Sequence, residues 1–348
     1  MEKRACGKAS LELAVMGIGC WSFGGGAYWG AQNQKDVEAV VKTALDAGCN
    51  YFDTAEMYNN GESERSLGKA LGRRRAEAVI CTKTGPQNAH RADLRRKCDE
   101  ALGRLGSDYI DIFMIHWPLD RPSTRQHTSD PAVLKRPPTA DEAFGALMEL
   151  RAEGKIRHIG VSNFGVQQLT EALATGADIA VNQLAYNLLA RAIEDRIAPL
   201  CLERGVGIIG YMPLMQGLLS DKVSTLDDMS PERTRTRHFS SRRAGVRHGE
   251  PGFEAETMNA IEAIRLIARD ANLSVSRLAI AWAAANPAVT CVLAGARNSQ
   301  QVQDNIRGAD IRLSDPILRA LDAATRPLME KWGPSPDLWQ NAANNRIE

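Results

Sequence analysis

The sequence predicts an α/β protein of the (β/α)8, or TIM-barrel, class, and three observations carry that expectation. Short apolar runs alternate with segments of helical period, a pattern that calls for a parallel sheet with helices outside it. Eight such units fit a closed barrel better than an open doubly wound sheet, which stays the alternative. The phosphate fingerprint of the open class, G-x-G-x-x-G after the first strand, fails at its third glycine, because Gly17 and Gly19 are followed by Ser22. No Walker A sequence occurs either: Gly68-Lys69 and Gly154-Lys155 lack the glycine five residues earlier.

The first strand is expected at 15–19. Asn33 and Asp36 open a helix whose Val37, Val40, Val41, Ala44 and Leu45 form one buried stripe, and Gly48 ends it. The next run, 49–53, is too short for a helix and apolar enough for a buried parallel strand. Later strands are expected at 79–82, 110–115, 156–161, 179–183, 206–211 and 289–294. Helical patterns lie at 61–72, 92–105, 140–153, 165–175, 193–204, 256–285 and 299–308. The whole of 1–348 reads as one barrel domain, since a chain of this length buries roughly three quarters of its unfolded surface.

Three segments exceed what a barrel needs. Residues 118–138 carry Pro118, Pro122, Pro131, Pro137 and Pro138 and read as a long loop after the fourth strand. Residues 218–255 form a second loop, after the seventh strand. Its arginines (Arg233, Arg235, Arg237, Arg242, Arg243, Arg247) read as a solvated face, or alternatively as a segment folding across a bound cofactor. Residues 326–348 form a C-terminal extension with Trp332 and Trp339.

Composition excludes several function classes. Hydrophobic residues make up 44% and charged residues 24%, and Lys+Arg 43 against Asp+Glu 42 leaves a net charge of +1. No global field gathers nucleic acid or anionic lipid, so any cationic site is local. There is no run of about 18 apolar residues, and Met1-Glu2-Lys3-Arg4 begins no signal peptide, so a cytoplasmic protein without a membrane partner is expected. The seven cysteines are odd in number, without C-x-x-C or histidine neighbours, and imply neither a disulfide framework nor a metal site.

In such a barrel the active site lies at the carboxyl ends of the strands, so the residues closing each run are read together. They are Asp53, Lys83, His116, Asn163, Gln183 and Tyr211. Tyr58 lies five residues past Asp53, within reach of the same rim. A phenol of pKa about 10 donates a proton near neutrality only beside a cation that stabilises its phenolate. Lys83 is the candidate cation and Asp53 its counter-charge, while His116 can aim a donor at a substrate oxygen.

The stretch Asn50-Tyr51-Phe52-Asp53-Thr54-Ala55-Glu56-Met57-Tyr58, with Gly61-Glu62-Ser63-Glu64 and Leu67-Gly68-Lys69-Ala70-Leu71, resembles the aldo-keto reductase family signature. Further matches are Thr82-Lys83, Asp108-Tyr109-Ile110-Asp111, His116-Trp117-Pro118, the run Gly154 to Phe164, and Gln183 with Tyr186-Asn187. The resemblance covers roughly residues 11–325. It implies a barrel that binds NADP(H) without a Rossmann fold and interconverts a small-molecule carbonyl and its alcohol. It places a catalytic tetrad on Asp53, Tyr58, Lys83 and His116, with Tyr58 as general acid or base.

The same resemblance assigns Ser162, Asn163 and Gln183 to the nicotinamide carboxamide and Tyr211 to the stacked ring. Pro213, Leu214 and Gly217 follow it on the cofactor side. Gly295, Ala296, Arg297, Gln301, Asp304 and Asn305 are assigned to the adenosine and 2′-phosphate pocket. Lys-Ser stands in the better-known branch where this chain has Gly295-Ala296, which leaves NAD(H) open beside NADP(H), and Met212 replaces a frequent serine. Trp21, Trp29 and Trp117 follow strand ends and are candidates for the substrate pocket, although packing alone also accounts for them. Gly24-Gly25-Gly26 suits a tight turn there. Two rival readings stand beside the reductase: a non-catalytic nucleotide-binding barrel acting as redox sensor or accessory subunit, and a hydrolase or lyase using Asp53 and Glu56. Oligomeric state and substrate identity are not legible.

Overall fold

The computed structural model describes all 348 residues. A two-stranded antiparallel hairpin comes first, β1 (Lys3–Ala5) and β2 (Glu12–Ala14). Eight parallel strands then close into a barrel in chain order: β3 (Met16–Gly19), β4 (Tyr51–Asp53), β5 (Val79–Thr84), β6 (Ile110–Ile115), β7 (Ile156–Ser162), β8 (Ile179–Ala185), β9 (Gly207–Tyr211) and β10 (Val289–Gly295). The closing pair sets Gly295 beside Gly19. The expected TIM barrel is therefore the observed fold.

Helices cover the outside: α1 (Gln34–Asp46), α2 (Glu62–Leu71), α3 (Arg91–Leu105), α4 (Arg121–His127), α5 (Pro131–Lys135), α6 (Ala140–Ala152), α7 (Val166–Ala174), α8 (Ile197–Arg204), α9 (Glu254–Asp270), α10 (Val275–Ala285), α11 (Ser299–Ala309) and α12 (Asp315–Trp332). The apolar stripe of α1 is buried as its period requires, and Asn33 caps the helix by accepting from the Asp36 amide. Inside the barrel, Tyr51, Ile112, Met114, Val181, Ile209 and Cys291 pack with Cys6 and Leu13 of the hairpin, which plugs the amino-terminal end. Room for Tyr51 comes from Gly17, where a β-carbon would sit 2.4 Å from the tyrosine ring.

Several expectations need correction. The segment 256–285 is two helices rather than one, because Asn272 turns left-handed (φ 54°) and Ser274 caps a new start. Residues 118–138 are not structureless: α4 and α5 each begin with proline in the first turn, after Asp120 and Asp130 as caps. Proline breaks a helix interior but suits its first turn, so residues read as breakers act as starters. Helical structure continues through 326–332 despite Pro327, and 333–348 forms an irregular tail with one short 3-10 turn at Ala342–Asn344. The hairpin was not expected, its strands being too short for a periodic signal.

Candidate active site

Strand register brings the singled-out residues to one end of the barrel. Asp53 closes β4, Lys83 lies one residue from the end of β5, and His116 follows β6. Ser162 on β7 pairs with Gln183 on β8, and Tyr211 closes β9 opposite Leu293. Tyr58 begins a turn in which Asn59 and Asn60 are both left-handed, at φ 50° and 54°. That turn is tied down: Asn59 Nδ2 donates to the carbonyls of Trp21 (3.0 Å) and Phe23 (2.8 Å), which locks the Tyr58 loop to the loop after β3.

Four groups converge. The fully buried Lys83 ammonium lies 2.7 Å from Asp53 Oδ1, donates to the Thr54 carbonyl at 2.8 Å, and stands 3.4 Å from the Tyr58 hydroxyl. The Tyr58 and His116 rings meet edge to face at 5.8 Å. Burial alone would depress Lys83, but the Asp53 carboxylate outweighs it and holds the ammonium above its ordinary pKa. Part of the Tyr58 ring meets solvent, while its hydroxyl end sits deep in protein. Burial pushes that phenol up to about 12 despite the opposing pull of Lys83. Burial, with Lys83 and His127 nearby, drives His116 well below its ordinary value, so the imidazole is neutral at pH 7. Its Nδ1 is buried without a hydrogen-bond partner.

The neighbouring strand ends form an amide-rich wall. Asn163, left-handed at φ 63°, donates to the His116 carbonyl and to Ser162 Oγ, both at 3.1 Å, and accepts from the Tyr211 hydroxyl at 2.7 Å. Gln183 Nε2 donates to Asp53 Oδ1 at 2.8 Å, so this residue braces the Lys83–Asp53 pair as well as facing the wall. Past Tyr211 the backbone is coiled, with Met212, Met215 and Gln216 left-handed and Gly217 at φ 108°, and Pro213 and Leu214 lie within that coil. At the end of β10, Asn305 Nδ2 donates to the Gly295 carbonyl, Ala296 is buried, and the Arg297 amide donates to Gln301. The Arg297 guanidinium is partly committed, donating to Gln32 Oε1 (2.8 Å) and the Ala31 carbonyl. Asp304 is paired instead with Arg277 at 2.7 Å.

Above the tetrad, Trp21 stacks on Tyr28 at 4.6 Å, meets Trp29 edge-on at 5.4 Å and lies 5.8 Å from Tyr58. Trp117 meets Trp339 of the tail at 5.7 Å, whereas Trp332 packs on His238 and Phe253 away from this group. Tyr28, Asn59, Asp337 and Arg346 were missed from sequence. Tyr28 adjoins a flagged tryptophan, but nothing local marks the tail pair. Arg346 and Asp337 form a buried two-pronged ion pair, 2.7 Å on each arm, with the guanidinium 3.8 Å over the Trp117 ring. The arginine-rich segment is largely not a solvated face: Arg237 pairs with Glu250, Arg243 with Glu254 and Asp227, and Arg233 and Arg235 lie over Trp29 and Tyr28, while Arg242 and Arg247 stay exposed.

Glu56 does not face the tetrad. Its carboxylate accepts from Thr84 Oγ1, the Gly85 amide and Asn88, with Lys97 at 3.2 Å, so it fastens the loop after β5. A hydrolase using Asp53 and Glu56 would find both carboxylates committed. All seven cysteines are unpaired and buried, no group of three or more His, Cys, Asp or Glu could hold a metal, and no helix is long and apolar enough to cross a membrane.

A barrel whose strand ends gather a phenol, an ammonium, a carboxylate and an imidazole defines an oxidoreductase class acting on carbonyls. The Aldo/keto reductase family profile matches residues 15–326, and the chain belongs to that family. Among its relatives is an NADH-specific methylglyoxal reductase of Escherichia coli (strain K12), 31% identical over 90% of this chain and 95% of the relative. A probable voltage-gated potassium channel subunit beta of Arabidopsis thaliana is 29% identical over 89% of this chain and 92% of the relative. The solved aldo-keto reductase from Klebsiella pneumoniae in complex with NADPH is 25% identical, with a TM-score of 0.69 over 100% of this chain and 99% of that one.

Proposed function

We propose that the protein is an NADP(H)-dependent reductase of aldehydes, ketones or sugar-type carbonyls, with Tyr58 as general acid and, in the reverse direction, general base. The observation that carries this reading is the 3.4 Å approach of the Lys83 ammonium to the Tyr58 hydroxyl, with Asp53 and Gln183 fixing the lysine. The wall fits a nicotinamide dinucleotide by its chemistry: side-chain amides at Asn163 and Gln183, a flat ring at Tyr211, bare backbone at Gly295, and a guanidinium at Arg297 before the first turn of α11. When bound, that group supplies or accepts a hydride.

The chain's own residues do the rest. His116, neutral and with no protein partner on its ring, is available to donate to the substrate oxygen and orient the carbonyl. Tyr58 passes its proton to that oxygen as negative charge develops there, and Lys83 stabilises the phenolate left behind until solvent reprotonates it. Asp53 keeps the ammonium charged inside the barrel. Trp21 and Trp117 narrow the mouth and exclude water.

Arg297, the amides and the Klebsiella structure support NADP(H), while the E. coli relative keeps NAD(H) as the alternative. The test is turnover of NADPH across a panel of aldehydes, ketones and sugars. In Tyr58→Phe, NADPH affinity stays near the wild-type value while reduction falls by roughly 10²–10⁴-fold, the size of a lost general acid. Comparable turnover in that variant removes the mechanism. Tight NADPH binding with no turnover across the panel supports the accessory-subunit reading instead.

A further inference from the structure

The arginines at the mouth are not equivalent. Arg237 and Arg243 have carboxylate partners, and Arg346 has Asp337. Arg233 and Arg235 have no carboxylate within 4 Å and no hydrogen bond to a carboxylate or carbonyl; the adjacent Glu232 is exposed and turned toward Ser230. Each guanidinium instead lies over an aromatic face, Arg233 5.3 Å from the Trp29 ring and Arg235 5.5 Å from the Tyr28 ring. Stacking of this kind steadies the plane and leaves its N–H edges unspent.

Around the same opening, Tyr28 Oη, Trp29 Nε1 and Arg235 Nε are all buried and none makes a hydrogen bond of ordinary geometry, although the Arg235 guanidinium approaches the Tyr28 hydroxyl. These three groups can all donate, two of them cannot accept, and the one acidic side chain that acts on the two guanidinium charges, the exposed Glu232, forms no ion pair with either. Buried polar groups without partners are costly, so such a cluster calls for an anion carrying several acceptor oxygens. The cluster also connects to the chemistry: Tyr28 stacks on Trp21, and Trp21 lies 5.8 Å from Tyr58.

We propose that Arg235, with Arg233, Tyr28 and Trp29, forms an anion-binding subsite that selects carbonyl substrates bearing a carboxylate or phosphate remote from the reacting carbon. This rests on the reductase reading above. Contacts run from the phenol to the Trp21 ring, from Trp21 to Tyr28, and from Tyr28 to the Arg235 guanidinium, a path that sets the proposed anion several bonds from the carbonyl. A spacer of the right length is favoured over shorter and longer ones.

The experiment measures kcat/KM with NADPH for a ladder of ω-carboxyaldehydes, each against the n-alkanal of the same length. In the wild type the acid-to-alkanal ratio rises about tenfold or more at one chain length, as a charge-assisted two-pronged contact predicts, and falls as salt is added. Arg235→Met brings that ratio toward one, and Arg235→Lys restores it only in part, since an ammonium lacks the fork. Because the readout is a ratio within one protein, a general loss of folding does not imitate it. A flat wild-type ratio on a protein that does reduce alkanals overturns the subsite and leaves the reductase reading standing. So does an unchanged ratio in Arg235→Met together with weakened NADPH binding, which would assign the arginine to the dinucleotide phosphates. A wild type that reduces neither class defeats the reductase reading itself, and this inference with it.

Discussion

In the proposed reaction the Lys83–Asp53 pair serves both stability and chemistry. Both side chains are buried, so removing either leaves a charge without its partner, a change that typically costs about 3–5 kcal/mol. Lys83→Met is expected to lower the melting temperature and to suppress reduction together, whereas Tyr58→Phe suppresses reduction with little effect on melting; paired calorimetry and kinetics separate the two. The pH dependence follows from the Tyr58 phenol, held near 12. Below that value it carries its proton, so reduction stays insensitive to its titration through neutral pH. Alcohol oxidation needs the phenolate and climbs as pH rises toward 12, which initial rates in the two directions will show. For Arg297→Ala we expect NADPH affinity to fall more than NADH affinity in parallel titrations, and equal weakening would argue against a 2′-phosphate contact. At this scale the convergence of Asp53, Tyr58, Lys83 and His116 was legible because each closes an apolar run or stands in a recognisable motif. Gln183 was legible as a wall residue but not as a brace for Asp53, which depends on β8 lying across the barrel from β4.

At the scale of elements, helix packing hinges on one backbone approach. A β-carbon at Gly68 in α2 would lie 2.1 Å from the Leu105 carbonyl at the end of α3. Alanine is the better helix former by about 1 kcal/mol, yet the clash is with backbone that cannot swing aside. Gly68→Ala is therefore expected to destabilise, by about 1–3 kcal/mol as overpacking usually does, in denaturant titration. Strands were the most legible elements, because a buried parallel strand writes itself as a short apolar run. The helices at 118–138 and the break at Asn272 were not, since the same proline or asparagine starts or stops a helix according to its position relative to the cap.

Taken as a whole, the molecule closes its mouth with parts distant in sequence. The tail returns over the barrel: Arg237 donates its amide to the Leu338 carbonyl, and Glu348 accepts from the Gln167 amide while its own amide donates to Gln168. A barrel pattern carries no trace of such a return, which arises from a few polar contacts rather than from periodicity. Arg346→Met is expected to free residues 333–348 while the barrel stays folded, because the tail can carry Asp337 into water; hydrogen exchange localised there, with an unchanged main transition, is the measurement. The burial of all seven thiols has a practical corollary for watching that motion. Thiols shielded in this way react slowly with maleimides, and Met57, 54% exposed, sits directly beside Tyr58. A cysteine introduced by Met57→Cys would take up a fluorophore selectively, turning the rim into an optical reporter of what enters and leaves.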